Sequence, residues 1–117
     1  MRTDDDRKEK ALQKLQQMLE EAISEGADSI ELEFVAEGLE VMFVFGSTAI
    51  GDVIDDRALA GGIIGLIVDQ ARLARKPRGV MNWTLFGEQH KITVEEYDSF
   101  GESAFRLRLG KPRQKRT

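Results

Sequence analysis

The sequence predicts a single α+β domain in the order α-β-β-β-α-β-β-β, with a mostly antiparallel sheet and both helices packed on one face. Three observations predict it. Apolar residues recur at helical spacing in two segments, one from residue 11 to 25 and one from 57 to 74. Elsewhere the period falls to two, in short runs bounded by turn residues. The chain has 117 residues, the size of one domain with its own core.

The first helix is carried by Leu12, Leu15, Leu19, Ala22 and Ile23, at steps of three and four. Asp4, Asp5 and Asp6 supply negative charge where a helix start favours it, and Gly26 suits the position just past the end. The stripe begins near residue 11, so residues 1–10 are expected to be a charged extension that frays. In "SIELEFV", Ile30, Leu32 and Phe34 alternate with Glu31 and Glu33, the mark of a half-buried strand. "LEVMFVF" is more apolar on both faces, and a third strand is expected over Ala49–Ile54.

The second strand runs into "GSTAIGDV", Gly46 to Val53, which has the glycine spacing of a phosphate loop. Such a loop needs a lysine and then Ser or Thr after its second glycine, and it leads into a helix. Asp52 and Val53 stand there instead, and a strand follows. The stretch is therefore a turn at Gly46 and Ser47, with Gly51 marking a bulge or a close contact.

The second helix starts at Asp55 or Asp56, either of which can cap it, and Pro77 limits its far end. Leu59, Ile63, Leu66, Ile67, Leu73 and Ala74 give its period. Gly61, Gly62 and Gly65 form a bare stripe with Ala58. Each glycine weakens a helix by roughly 1 kcal/mol relative to alanine, so the stripe is expected to pack closely on the sheet or the other helix. Three strands follow. Met81, Trp83 and Leu85 alternate in the first, "GEQ" turns the chain, and Ile92 and Val94 alternate in the second. "DSFGE" turns it again, and Phe105, Leu107 and Leu109 alternate with Arg106 and Arg108 in the last. One sheet face is thus apolar. The other is ionic, with Glu31, Glu33, Glu40, Arg106 and Arg108, and is expected to be solvated.

The chemistry is sparse. Without cysteine there is no thiolate, and a reducing compartment is compatible. No apolar run approaches the ~20 residues of a membrane span, and the charged N-terminus is no secretory leader, so a cytoplasmic location is expected. The overall charge is −4; residues 1–10 balance four bases with four acids and residues 110–117 carry four bases, which leaves residues 11–109 at −8. An acidic body repels nucleic acid, and only the basic tail, expected to be disordered, could attract it. His90, the only histidine, sits beside a turn and is expected to be exposed. "GESAF" lacks the last glycine of a nucleophile elbow, and Glu95 and Glu96 point to opposite faces of one strand. No enzyme, cofactor or metal site is expected. Arg75, Lys76 and Arg78 form a small basic cluster suited to weak contact with an anion or a partner.

The order of elements, together with "LQQMLEEAISEGADSIELE", resembles the N-terminal domain that precedes the motor domain in type II secretion and type IV pilus assembly ATPases. Gly26, Ala27, Ile30 and Glu33 match its G-A-S-D-I-H-I-E-P-like strand start, and Gly38, Leu39 and Val41 match its G-L-x-V-R-x-R-x-D-G segment. The similarity covers residues 12–109. In that family, arginines of this domain reach nucleotide held by the motor domain. Here Val44, Val80 and Thr93 stand at those positions, Arg75 survives, and no phosphate loop is present. The resemblance implies a free-standing, non-enzymatic interaction domain that docks to another protein, such as a secretion or pilus component, or to itself. Two alternatives are a ligand-sensing module with a cleft between the second helix and the sheet near Trp83, and a weak nucleic-acid binder acting through residues 110–117.

Overall fold

Period-two alternation puts every second side chain of each strand on one sheet face, and an apolar face must be covered. The structure, a computed structural model that describes residues 3–110, covers it with two helices. The elements are α1 (Thr3–Glu25), β1 (Ser29–Val35), β2 (Gly38–Phe45), β3 (Thr48–Ile54), α2 (Arg57–Ala71), β4 (Arg78–Leu85), β5 (Glu88–Ser99) and β6 (Glu102–Arg108). They form the expected α+β domain. The basic tail expected after Gly110 lies outside the described residues.

The sheet order is β3-β2-β1-β6-β5-β4, and every neighbouring pair is antiparallel. Two three-stranded meanders are therefore joined at one seam, β1 against β6. Ile30 faces Leu107 there and Leu32 faces Phe105, all buried on the helix side. Each meander is closed by tight turns. Ser47 follows Gly46, which has φ 60°, between β2 and β3. The two hairpins of the second meander turn on Phe86–Gly87 and Phe100–Gly101 alone, narrower than "GEQ" and "DSFGE" suggest, so β5 extends to 12 residues. All four turn residues have positive φ, the type I′ geometry whose twist matches the flanking strands.

α1 buries Ala11, Leu15, Met18, Leu19 and Ala22. Leu12, expected in the stripe, is 45 % exposed, because the buried face is centred on the row through Ala11, Leu15 and Met18. The helix also continues back to Thr3, so most of the segment expected as a frayed extension belongs to α1. Its straight-chain charged residues are good helix formers. Gly26 ends α1 with φ 83°, and Ala27 N–H donates to the Ala22 carbonyl at 2.9 Å. α2 ends in the same way on a residue that is not glycine. Arg72 is left-handed (φ 58°), and Leu73 N–H donates to the Val68 carbonyl at 2.9 Å. Burial of Leu73 helps to hold that turn. α2 therefore stops three residues before Ala74.

The glycine stripe of α2 is not the packing surface the sequence suggests. The face buried by α2 is Ala60, Ile63, Ile67 and Ala71. A Cβ on Gly62 would come 2.9 Å from the Ala11 Cβ of α1, so this one position does report a close helix–helix approach. Gly61 and Gly65 look into open space. Gly79 is tighter than any of these, since a Cβ there would overlap the backbone carbonyl of Ala71. Gly51 shows the close contact rather than the bulge: its register with Met42 is regular, and the Met42 side chain lies over it.

Two outcomes in thermal or denaturant melts are expected. Gly65→Ala should stabilise the fold by about 0.5–1 kcal/mol through helix propensity, whereas Gly79→Ala should destabilise it by about 1–3 kcal/mol through overpacking. Equal effects at the two sites would contradict this placement of α2. Phe100→Asn should raise stability by a few tenths to about 1 kcal/mol, because Asn tolerates the left-handed turn position that the fully exposed Phe100 occupies. A fall in stability would show that the ring makes contacts of its own.

Candidate functional site

α1 is held towards one side of the sheet. The Trp83 indole Nε1 donates to Gln16 Oε1 at 2.6 Å, and Gln16 Nε2 donates to the Thr84 carbonyl at 3.1 Å. Glu20 accepts from Gln16 Nε2 at 2.9 Å and from Phe86 N–H at 3.4 Å. These bonds tie α1 to the β4–β5 hairpin. The opposite flank of the helix, with Lys14, Met18, Glu21 and Glu25, does not close over β2 and β3. A groove of about 320 Å³ remains between them. Its floor is Val41, Phe43, Ile50 and Ile54, and its outer rim is Gly51 and Asp52. Ile50 is 61 % exposed there. Three carboxylates against one ammonium give the groove an acidic wall.

The rim is also a sheet edge. A two-residue hairpin closes on a hydrogen-bonded pair, here Phe45 with Thr48, and the pattern alternates from that point. Thr48, Ile50, Asp52 and Ile54 thus turn their N–H and C=O groups to β2, and Ala49, Gly51 and Val53 turn theirs outward. The Val53 amide agrees with this phase, for it donates to the Asp52 carboxylate at 2.8 Å instead of to β2. Nothing among the described residues bonds to the outward groups of Ala49 or Gly51. At the other edge the same alternation turns Thr84 outward, and Gln16 already occupies its carbonyl.

The uncovered sheet face is an ion-pair network. Arg106 Nε donates to Glu31 Oε2 at 3.0 Å across the β1–β6 seam, and Arg106 Nη1 donates to Glu95 Oε1 at 3.3 Å. Glu95 also meets Arg78 at 3.3 Å and Arg108 at 3.9 Å. The guanidinium of Arg106 lies 4.9 Å from the centroid of the Tyr97 ring. The hydrogen bond to Glu31 raises the pKa of Arg106 further and keeps it charged. Desolvation lifts the Tyr97 phenol above its ordinary value, and the charge of Glu31 adds to the effect. Glu96 points away from this face, as expected, and accepts from Ser103 Oγ at 2.9 Å. The cations of this face are engaged with Glu31 and Glu95, while Glu33 accepts from Ser99 Oγ at 2.8 Å and stands opposite Glu40. The cross-strand pairs have the means to hold the sheet in register.

The basic cluster is only partly available. Arg78 is paired with Glu95, while Arg75 and Lys76 are exposed in the loop before β4 and have no ion-pair partner among the described residues. His90 is buried, which corrects the expectation of an exposed turn residue. The turn is confined to Phe86–Gly87, so His90 lies within β5 opposite Trp83, on the face that α1 covers. Trp83, beside which a cleft is expected from the sequence, is itself buried, with its indole bonded to Gln16 of α1. A cleft of about 470 Å³ lies instead where Arg7, Lys10 and Lys14 of α1 face Asp56 and Leu59 at the start of α2. Asp56 is committed there as the helix cap, accepting from Leu59 N–H at 3.0 Å. Among the described residues no group of three His, Cys, Asp or Glu side chains could hold a metal ion, and no helix is long and apolar enough to cross a membrane.

The strand edge was not singled out from sequence. The only signal for it was the third strand itself, short, weakly apolar and ended by an aspartate. No protein-family model matches the chain, and the comparison with curated proteins finds no match. The likeness to the secretion-ATPase domain therefore rests on its residues alone.

The single tyrosine allows the ionic face to be read directly by phenolate absorbance. The native midpoint should lie above 10.0, and Glu31→Gln should lower it. A folded-state value raised in this way adds stability below pH 10 that is lost as the pH rises through the raised value. A native midpoint at or below that of the unfolded chain would refute the geometry around Tyr97.

Proposed function

We propose that this protein is a non-enzymatic interaction domain that acts by docking to another protein. The observation that carries the reading is β3, a strand edge with outward backbone groups that lies beside an uncovered apolar floor. Unpaired strand edges and exposed apolar floors are surfaces that folded proteins ordinarily cover or use. The resemblance to the secretion and pilus ATPase domain supports the same class, with the cytoplasmic face of such a machine as the setting. Val44, Val80 and Thr93, where that family carries arginines, lie on the ionic face, with Val80 and Thr93 directly opposite one another. None of the three can donate the charged bidentate bond that suits arginine to phosphate. The reading is therefore of a scaffold put to docking, without nucleotide chemistry.

The test has two arms. The purified chain should not turn over ATP with magnesium above a contaminant control. A photo-crosslinking residue at Ile50 should trap a second protein in cells, and the same residue at the opposite edge, at Asn82, should not. ATP turnover, or recovery of only the free chain from the Ile50 variant, would overturn the reading.

A further inference from the structure

We infer that the edge of β3 accepts an added peptide strand from its partner, and that the groove selects a strand carrying a basic residue opposite Asp52 and an aliphatic one opposite Ile50. This rests on the docking reading above and names the chemistry of the occupant. Ala49, Gly51 and Val53 offer outward N–H and C=O groups at the spacing an antiparallel strand requires. Alternate side chains of the added strand would then stand beside Ile50 and Asp52 on the helix side. An aliphatic residue continues the floor formed by Phe43 and the exposed Ile50. A lysine or arginine meets Asp52, with Glu21 and Glu25 of α1 lining the same groove.

Asp52 has a second part in this. In the free chain its carboxylate accepts from Val53 N–H, which satisfies one outward donor of the edge. An incoming cation competes for that carboxylate and releases the amide for the new strand. The same charges argue against a second copy of this chain as the occupant. Antiparallel self-pairing centred on Gly51 would bring two acidic α1 flanks and two Asp52 carboxylates to one side of the joint sheet. Like charges so placed repel.

The experiment titrates the isotope-labelled full chain with capped peptides of about nine residues, slightly longer than β3. Threonine occupies every odd position of the peptide, and valine and lysine alternate at the even ones. A second peptide has glutamate for lysine. A third carries N-methyl groups on the threonines. The lysine peptide should shift the amides of Ala49, Gly51 and Val53, and should bind at least about tenfold more tightly than the glutamate peptide. N-methylation should abolish the β3 shifts. Asp52→Asn, whose amide oxygen can still accept from Val53 N–H, should leave the fold intact and narrow the preference for lysine. Equal binding of the two charged peptides would overturn the inference, as would shifts confined to β4 or the ionic face. Concentration-dependent dimerisation through β3 would overturn it as well, by assigning the edge to a second copy. The Ile50 crosslink tests docking independently, so a trapped partner without lysine preference would remove only the chemistry proposed here.

Discussion

The pairing of β1 with β6 is the contact on which the rest of the structure depends. Every other strand pair is a hairpin made by residues close in sequence. This one joins positions some 75 residues apart, as in the bond from Arg106 to Glu31. Without it each meander would expose an apolar edge and half a floor, and neither helix would have a sheet wide enough to cover. The seam is bound at several levels. Ile30, Leu32 and Leu107 are fully buried and Phe105 nearly so; Glu31 and Arg106 pair on the opposite face; Leu109 N–H donates to the Asp28 carbonyl at 3.1 Å. Long-range closure of this kind is entropically costly, so its reward has to be concentrated at one place.

Once the seam is closed, the two helices settle asymmetrically. Gln16 and Glu20 pull α1 towards the β4–β5 hairpin, and α2 lies beside α1 at the Gly62–Ala11 approach. The sheet is six strands wide, and two helices placed in this way leave the β2–β3 corner uncovered. The groove therefore follows from where α1 is tethered. The difference between the two edges has the same origin, since the glutamine that bonds to Trp83 also covers the outward carbonyl of Thr84.

The ionic face illustrates how register turns isolated charges into a network. Glu95 is one of two adjacent glutamates and is unremarkable in the sequence. The register places it opposite Arg78 on one side and Arg106 on the other. These pairs are partly solvated, so each contributes little to stability alone. Their combined effect is to oppose a slip of one residue, which would carry the whole charged set into the apolar layer.

Much of the architecture was legible in the sequence because period, turn chemistry and capping are local. Alternation in "SIELEFV" identified β1, Gly46 marked a turn, Gly26 marked the end of α1, and Asp56 caps α2 as one of two aspartates placed to do so. The errors share a different cause. Periodicity places Leu12 in the core, the nearby turn places His90 at the surface, and the bare stripe places Gly61 and Gly65 on a packing surface, and the structure reverses each placement. A period states which residues share a face, but not which face the neighbouring element chooses to cover. The groove and the open edge of β3 belong to that second kind of information. By itself the sequence determined the elements and the division of the sheet into an apolar and an ionic face, since both follow from steric and solvation preferences within a few residues. Only the tertiary structure decided where α1 comes to rest and which strand edge stays open, because that choice is made by contacts such as Gln16 with Trp83, between residues 67 apart in the chain.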